Sequence, residues 1–534
     1  MDTLTPSLPG KQVLILGLGT SGLAMARWCA RQGAHVCVAD TRLDPPQRAT
    51  LAQEYPEVVF HSGAQFDEAL LRSAPFALVL LSPGLAPVET ALIRAAALEH
   101  AIPQGNELSL FTQALADLQQ SHAYAPKVIC VTGTNGKTTV TALTGQLATR
   151  AGKNVAVAGN IGPTVLDTLA EKLNADNLPG IWVLELSSFQ LEGLGDLWMV
   201  EGGGFAPTVA TVLNISEDHL DWHGSLDAYV SAKKQIFGLG THMLLNRDDP
   251  LCMAMLPQKL AVQPADQQAF STFGSSQPTQ PGDWGLENVN GVEWLVRAQL
   301  ADTHEVTTPA TRRTQKKRLD NLAIATPEIS LTRLMPMQAL QIHGRHNASN
   351  ALAALALATG VGCGLASLLH GLREYRGEPH RVESVAIVDG VEFFDDSKGT
   401  NVGATVAALH GLAGHDGRKL VLILGGVGKD QDFSPLQQPI ARHARAVVLI
   451  GRDAGLIASA LQSTSQAVPV SPALHHAASM AEAVFVAARL ARSGDAVLLS
   501  PACASFDMFN DYRHRAAVFC AAVREWALEK GAIA

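Results

Sequence analysis

The segment Thr132-Gly133-Thr134-Asn135-Gly136-Lys137-Thr138-Thr139 has the composition needed to hold phosphate. Gly133 and Gly136 let backbone N–H groups close around phosphate oxygens, and a helix starting at Lys137 adds positive potential. Lys137 is placed to neutralise β- and γ-phosphates, and the Thr138 hydroxyl to hold Mg²⁺. The spacing is tighter than the usual phosphate loop, with two residues between Gly133 and Gly136. A second glycine pattern, Gly17-Leu18-Gly19-Thr20-Ser21-Gly22, stands early in the chain, with Asp40 ending the next apolar run. Read alone, it suggests NAD. Its physics is only a diphosphate held at a helix start, and a nucleotide-sugar fits equally well.

Carboxylates and imidazoles follow the phosphate loop. Glu185 ends an apolar run in Leu-Glu-Leu-Ser-Ser-Phe-Gln-Leu-Glu, and Asp218-His219-Leu220-Asp221 follows Asn214. Strand ends beside a phosphate loop are where Mg²⁺ ligands belong, so Glu185 and His219 are magnesium-site candidates. His219 and His223 stand four apart, as zinc ligands on a helix can, but the Glu of a His-Glu-x-x-His site is missing. Further on come Pro379-His380-Arg381, then Asp395-Asp396-Ser397-Lys398-Gly399-Thr400-Asn401, then Gly425-Gly426-Val427-Gly428-Lys429. Asp430 stands where a Mg²⁺-phosphate loop needs Ser or Thr, so the last is not a second phosphate loop. Lys398 and Lys429 instead offer two cations at strand ends, suited to a substrate with carboxylates; two solvated surface lysines are the bland alternative. Cys503 reads as a buried thiol, since no histidine partner is indicated for a nucleophile.

Short apolar runs alternating with helical patterns imply parallel sheets with crossover helices. Runs at 13–16, 36–39 and 78–81 form one series. Runs at 128–131, 155–157, 182–186 and 210–213 form another, and runs at 392–394, 420–424, 447–450 and 496–499 a third. The expected fold is α/β with three domains: residues 1–122, 123–378 and 379–534. The first and last should be Rossmann-like, and the middle a phosphate-loop ATPase type. Residues near 255–335 are rich in Gln, Thr and Pro and carry the run Arg312-Arg313-Thr314-Gln315-Lys316-Lys317-Arg318. This stretch reads as a solvated insertion; a nucleic-acid patch would need interleaved aromatics.

With 534 residues, 47% apolar and 17% charged, the chain is long enough for about three cores and too apolar for disorder. A net charge of -9 argues against a general nucleic-acid binder. Seven cysteines without a CxxC pair read as reduced. The glycine-broken stretch 13–26 is not a signal peptide, and no apolar run is long enough to span a membrane. A cytoplasmic protein without nucleic-acid or membrane partners is expected. A monomer is one reading open to it.

Taken together, these segments resemble the Mur ligases of bacterial cell-wall synthesis. The resemblance rests on the phosphate loop, Gly159-Asn160-Ile161-Gly162, Glu185 to Glu192, Asp218-His219-Leu220-Asp221, Tyr229 to Lys233, and His346-Asn347-Ala348-Ser349-Asn350. Asp396 to Asn401 and Ser500-Pro501-Ala502-Cys503-Ala504-Ser505-Phe506-Asp507 are similar to the branch that adds D-glutamate to UDP-N-acetylmuramoyl-L-alanine. The resemblance implies that Thr20, Ser21, Asp40, Thr41, Arg42 and Ser82 bind UDP, while Asn160, Ser187 and Gln190 approach the acceptor. It implies that Gly133, Thr134, Asn135, Gly136, Lys137, Thr138 and Thr139 bind ATP, framed by Asn350, His380, Arg381 and Asp396. Lys398, Thr400, Lys429, Ser505 and Tyr512 would hold D-glutamate. Catalysis would rest on Lys137, Lys233, His219 and Glu185. Two Mg²⁺ ions would sit among Thr138, Glu185, His219 and Lys233.

Lys233 is further implied to carry a CO₂-derived carbamate. Tyr229 to Phe237 reads as helix, and its apolar face centres within roughly 20° of Lys233 and about 120° from Lys234. Lys233 should therefore point inward and Lys234 outward; an inward ammonium is costly unless paired or deprotonated. The alternative is a lysine that snorkels out or pairs with a carboxylate. Three rival functions remain open: the L-alanine-adding member of the family, a dehydrogenase using Gly17, Gly19 and Gly22, and a nucleotide-binding regulator.

Overall fold

The computed structural model describes residues 8–192, 194, 204–257, 269–301, 328–342, 344–413, 418–462 and 472–531. Among them, three sheets follow one another along the chain. The first is all parallel, in the order Val59–Ser62, His35–Asp40, Gln12–Leu16, Phe76–Leu81, Gln104–Gly105. Apart from Gln12 its central strands are apolar, and they are mostly buried on both faces, as helix-covered parallel strands must be. The strand order reverses between Gln12–Leu16 and Phe76–Leu81, which opens a crevice beside the Gly17 turn and Ser82. Gly17 has φ +85, and a Cβ on Gly22 would stand 2.0 Å from the Gly17 carbonyl, so only glycines permit this tight strand-to-helix passage.

The second sheet carries the phosphate loop within its parallel part. Lys127–Thr132 lies between Ile181–Glu185 and Val209–Val212, with Val155–Gly159 beyond the former and His242–Asn246 beyond the latter. All of these neighbours are parallel. The stretch expected as a solvated insertion instead extends this sheet. Phe270–Phe273 and Trp284–Val289 add to it in parallel, and Val292–Leu300 and Ile329–Pro336 follow as antiparallel strands. The cause is a buried face: Trp284, Leu286, Leu295 and Met335 join a cluster with the alanine- and leucine-rich helix Arg345–Gly360. The basic run 312–318 lies outside the described residues.

The third sheet runs Glu383–Val388, Val391–Asp395, Ala496–Leu499, Leu420–Gly425, Ala444–Ile450, Ala473–His476. It is parallel except for the first pair. The first two sheets share one continuous apolar cluster, in which Phe111 meets Trp182 edge-on at 5.1 Å. The third domain has apolar clusters of its own. Its Val402–Leu412 helix packs near His346 at Gly411, and the remaining contacts described below are polar. Among the described residues no helix is long and apolar enough to cross a membrane.

Candidate functional site

The carboxyl ends of the central strands of all three sheets face one cleft of about 710 Å³. The first domain contributes Thr20 and Ser21, the opening residues of the helix Thr20–Arg31. The second contributes Thr134 to Thr138, Asn160, Glu185, Ser187, Gln190 and His219. The third contributes Arg381, Lys398, Thr400 and Tyr512. A smaller adjoining pocket is lined by Gly136, Thr139, Asn350, Arg381, Asp396 and Lys398. Residues expected to act together thus meet, although they come from positions hundreds of residues apart.

The phosphate loop is braced from below. Asn214, which follows the neighbouring strand, accepts from Thr134 N through its carbonyl (2.9 Å) and from Asn135 N through Oδ1 (2.8 Å). Gly133 (φ +148) and Gly136 (φ +83) give the loop its shape, and a Cβ on Gly136 would come within 2.7 Å of Asn350 Oδ1. The helix Lys137–Arg150 then presents first-turn amides that have no helical acceptor, which is the feature that receives phosphate. Lys137 Nζ donates to the carbonyls of Gly133 and Thr134, both at 2.8 Å. Burial lowers its pKa, opposed by Glu185 and Asp218.

Glu185 ends its strand buried, with Oε1 accepting from Asn160 Nδ2 at 3.1 Å. Its Oε2 is buried without a hydrogen-bond partner, and the residue lines the cleft. A carboxylate oxygen left in that state calls for a cation. His219 lies in the left-handed region (φ 55) just before the four-residue helix Leu220–His223, against Phe189 with ring centroids 4.8 Å apart. His223 instead turns into the protein, with Nε2 2.9 Å from Ser188 Oγ; burial pushes its pKa down to about 4. The two imidazoles therefore do not form a helical metal pair.

Lys233 lies in the helix Leu226–Lys234 and is 1% exposed, whereas Lys234 is exposed. The inward and outward assignment is correct, although the helix ends at Lys234 and tightens beyond it. Lys233 Nζ stands 3.0 Å from the Gly133 carbonyl, 3.3 Å from Thr132 Oγ1 and 4.6 Å from the Tyr229 ring centroid. Burial first, then the charge of Lys137, holds its pKa well below the usual lysine range.

The third domain reaches across the cleft. Arg381 (2.7 Å) and Lys398 (3.2 Å) both donate to Thr138 Oγ1. Asn401 caps the helix Val402–Leu412 and also contacts Asn135 (3.1 Å) and Asp218 (3.4 Å). Lys429 Nζ lies 3.7 Å from Asp218 Oδ1. Asp396 is buried, receives the Ser500 hydroxyl at 2.6 Å, and is pushed up to about 7 by burial.

Other expected site residues have further duties or stand outside the cleft. Ser187 and Gln190 line the cleft but also form a reciprocal cap on the short helix Ser188–Leu191. His380 bonds Asp395 Oδ2 at 2.7 Å and lines neither the cleft nor the adjoining pocket. Ser505 is buried outside both, and Ser82 lines a third, smaller pocket with Phe189 and Trp222. Asp40, 1% exposed, accepts from Leu18 N (2.7 Å) and forms a two-pronged pair with Arg42 (2.7 and 2.8 Å). Burial would raise its pKa, but these donors win and lower it. Both oxygens are thus engaged within the protein, unlike the ribose-binding carboxylate of a dinucleotide site. Arg42 remains half exposed; neither it nor Thr41 lines the cleft or the adjoining pocket. Four residues that the sequence did not single out as site residues also matter here: Asn214, Asp218, Asn401 and Arg513. Asn401 had a readable signal, an Asn just before an apolar helical run. Arg513, which lines the cleft beside Tyr512, had none.

A phosphate loop, a buried carboxylate short of a cation and a cation-bearing third domain define a nucleotide-dependent ligase cleft, and comparison with known proteins agrees. Residues 131–358 match the Mur ligase middle domain, 380–503 the Mur ligase glutamate ligase domain, and 11–103 the MurD-like N-terminal domain. The chain belongs to the Mur ligase family. It is 58% identical over 528 residues to a protein of Albidiferax ferrireducens named UDP-N-acetylmuramoylalanine--D-glutamate ligase, covering 98% of both chains. A protein of that name from Burkholderia multivorans is 54% identical, covering 97% of this chain and 98% of the other. Among solved structures, a pseudomurein peptide ligase type C from Methanothermus fervidus shares the fold (TM-score 0.53, 16% identity, 97% of this chain and 100% of that one). So does the MurF ligase of Thermotoga maritima in complex with ADP (TM-score 0.53, 14% identity, 98% and 100%).

Burial, with Arg381 nearby, lowers the Lys398 pKa to about 7. Above that pH the amine is largely neutral, and a bound anion beside it favours the charged form. ADP binding at pH 8 should therefore take up protons, and Lys398→Ala should reduce the uptake. At pH 6 Lys398 is already charged and its share should vanish. Calorimetry in buffers of different ionisation enthalpy measures this. Equal uptake by the wild type and Lys398→Ala at pH 8 would contradict it.

Proposed function

We propose that the chain is an ATP-dependent ligase that joins D-glutamate to UDP-N-acetylmuramoyl-L-alanine in peptidoglycan precursor synthesis. The convergence of the phosphate loop, Glu185 and the third-domain Arg381 and Lys398 on one cleft carries this reading. The names of relatives at 50% identity and above support it. Thr20, Ser21 and Ser82 are assigned to the UDP portion, with Asp40 holding the Gly17 turn and Arg42 in place. Asn160, Ser187 and Gln190 are assigned to the acceptor. The phosphate loop, Asn350, Arg381 and Asp396 are assigned to ATP, and Lys398, Thr400, Lys429 and Tyr512 to D-glutamate.

The acceptor carboxylate oxygen attacks the γ-phosphorus, and the bond to the bridging oxygen breaks as ADP leaves with its electron pair. The D-glutamate amine, having lost a proton, then attacks the acyl carbon, and phosphate departs with the C–O electron pair. Two anions must meet in the first step, so the site must supply fixed positive charge and exclude water. Lys137, Arg381 and Lys398 are the side chains placed to do this. Mg²⁺, when bound, adds charge neutralisation; Glu185 Oε2, His219 and Thr138 are the groups that would hold it, together with a carbamate on Lys233. In the present arrangement Thr138 is engaged by Arg381 and Lys398, which would have to yield.

Three outcomes are expected. ADP release in the presence of UDP-N-acetylmuramoyl-L-alanine should depend on D-glutamate; a preference for L-alanine or another amino acid would replace this reading. Lys137→Ala should abolish turnover and leave acceptor binding within about threefold, since the phosphate loop and the UDP site lie on different domains. Parallel loss of both in titrations would show the assignment to be wrong. Lys233→Ala should be inactive and partly restored by acetate, while Lys234→Ala stays near normal; full activity of Lys233→Ala would rule out the carbamate.

A further inference from the structure

Glu107 is a carboxylate that the proposed chemistry does not use, and it is 2% exposed. It opens the helix Glu107–His122 of the first domain, yet it bonds the second. Its Oε1 accepts from Val165 N at 2.8 Å and Leu166 N at 3.2 Å, the first two residues of the helix Val165–Asn174. That helix already has an ordinary cap, because the Thr164 side chain accepts from Asp167 N. A buried carboxylate brought from another domain is a costly second cap. Burial raises the pKa of Glu107, while the Ser21 side chain and the two amides favour its ionised form. Its Oε2 has no hydrogen bond of normal geometry.

Both ends of this contact adjoin residues that line the cleft. Ser21 stands in the first turn of the helix assigned to the diphosphate, and Thr164, next to Val165, lines the same cleft. Four residues before Thr164, Asn160 holds Glu185 Oε1. Beside Glu107, Asn106 Nδ2 donates to the Gln190 carbonyl at 3.2 Å, a second tie from the same helix start to the acceptor side. We infer that Glu107 is a positioning residue that fixes the register between the UDP end of the acceptor, on the first domain, and its reacting carboxylate, on the second. The inference rests on the acceptor assignment above. An acceptor that spans two domains reacts only if their spacing is held, and an error of about 1 Å can reduce turnover roughly a hundredfold.

The test compares UDP, which needs only the first domain, with the whole acceptor, which needs both. In Glu107→Ala, UDP affinity should stay within about twofold. The advantage of UDP-N-acetylmuramoyl-L-alanine over UDP should shrink by about tenfold or more, and kcat should fall roughly ten- to a hundredfold, with the affinity for an ATP analogue unchanged. Glu107→Gln keeps a carbonyl for the two amides and should retain the advantage within about threefold. Should the alanine variant not fold, Glu107→Asp withdraws the carboxylate by about 1.5 Å and should show the same loss. An undiminished advantage in a folded Ala or Asp variant would overturn the inference, as would parallel loss of UDP and acceptor. Wild-type protein that fails to bind the acceptor would instead overturn the functional assignment.

Discussion

The architecture depends on crowding cations where few carboxylates balance them. Lys137, Lys233, Lys398, Arg381 and Lys429 surround the phosphate loop, with Glu185 and Asp218 as the nearby acids. Burial and mutual repulsion lower the pKa of Lys137, Lys233 and Lys398 together, and an anion placed among them would favour their charged forms. Backbone carbonyls serve as partners: those of Gly133 and Thr134 hold Lys137, and that of Gly133 also holds Lys233. A polyphosphate is a far stronger acceptor than a carbonyl, so these lysines would favour it over their present partners.

That charge can be concentrated because two kinds of interface meet at the cleft. The first two domains share apolar core, with Phe111 on Trp182 and Arg27 reaching Asp167 at 3.2 Å, so they behave as one support. The third domain keeps its cores to itself and meets the support mainly through side chains that also line the cleft. Buried Arg515 stiffens that domain from within, donating to the carbonyls of Ser397 and Cys503 and so tying together two of its site loops.

Much of this was legible in the sequence because the signals are local. Strands such as 420–425 and 496–499 are unbroken apolar runs, and the glycine turns need particular residues. The phosphate loop, Glu185, His219, Lys398 and the inward face of Lys233 could each be read from a dozen neighbouring residues. The strands at 59–62 and 473–476 escaped notice because they lie at sheet edges, half exposed, with polar residues interleaved. The strands between 270 and 336 escaped because Gln, Thr and Pro mask a period-two pattern that only the partner helix reveals. Asn214 and Arg513 act through contacts distant in sequence, and no local pattern announces these. Asp40 was located correctly, but only the geometry showed its oxygens already engaged.

The contact of Arg381 and Lys398 with Thr138 couples domain position to ligand. A hydroxyl shared by two cations is a weak acceptor for both, and the same hydroxyl is one that a phosphate-bound cation would claim. Nucleotide in the loop would offer these side chains charged oxygens in its place, so the third domain would exchange a neutral anchor for an anionic one. Any such exchange is reciprocal: whatever the nucleotide adds to the hold on the third domain, that domain adds to the hold on the nucleotide. Lys398 would then be engaged by the nucleotide side before an amino acid arrives. Lys429, drawn toward Asp218 from the same domain, is the cation left to meet a second carboxylate.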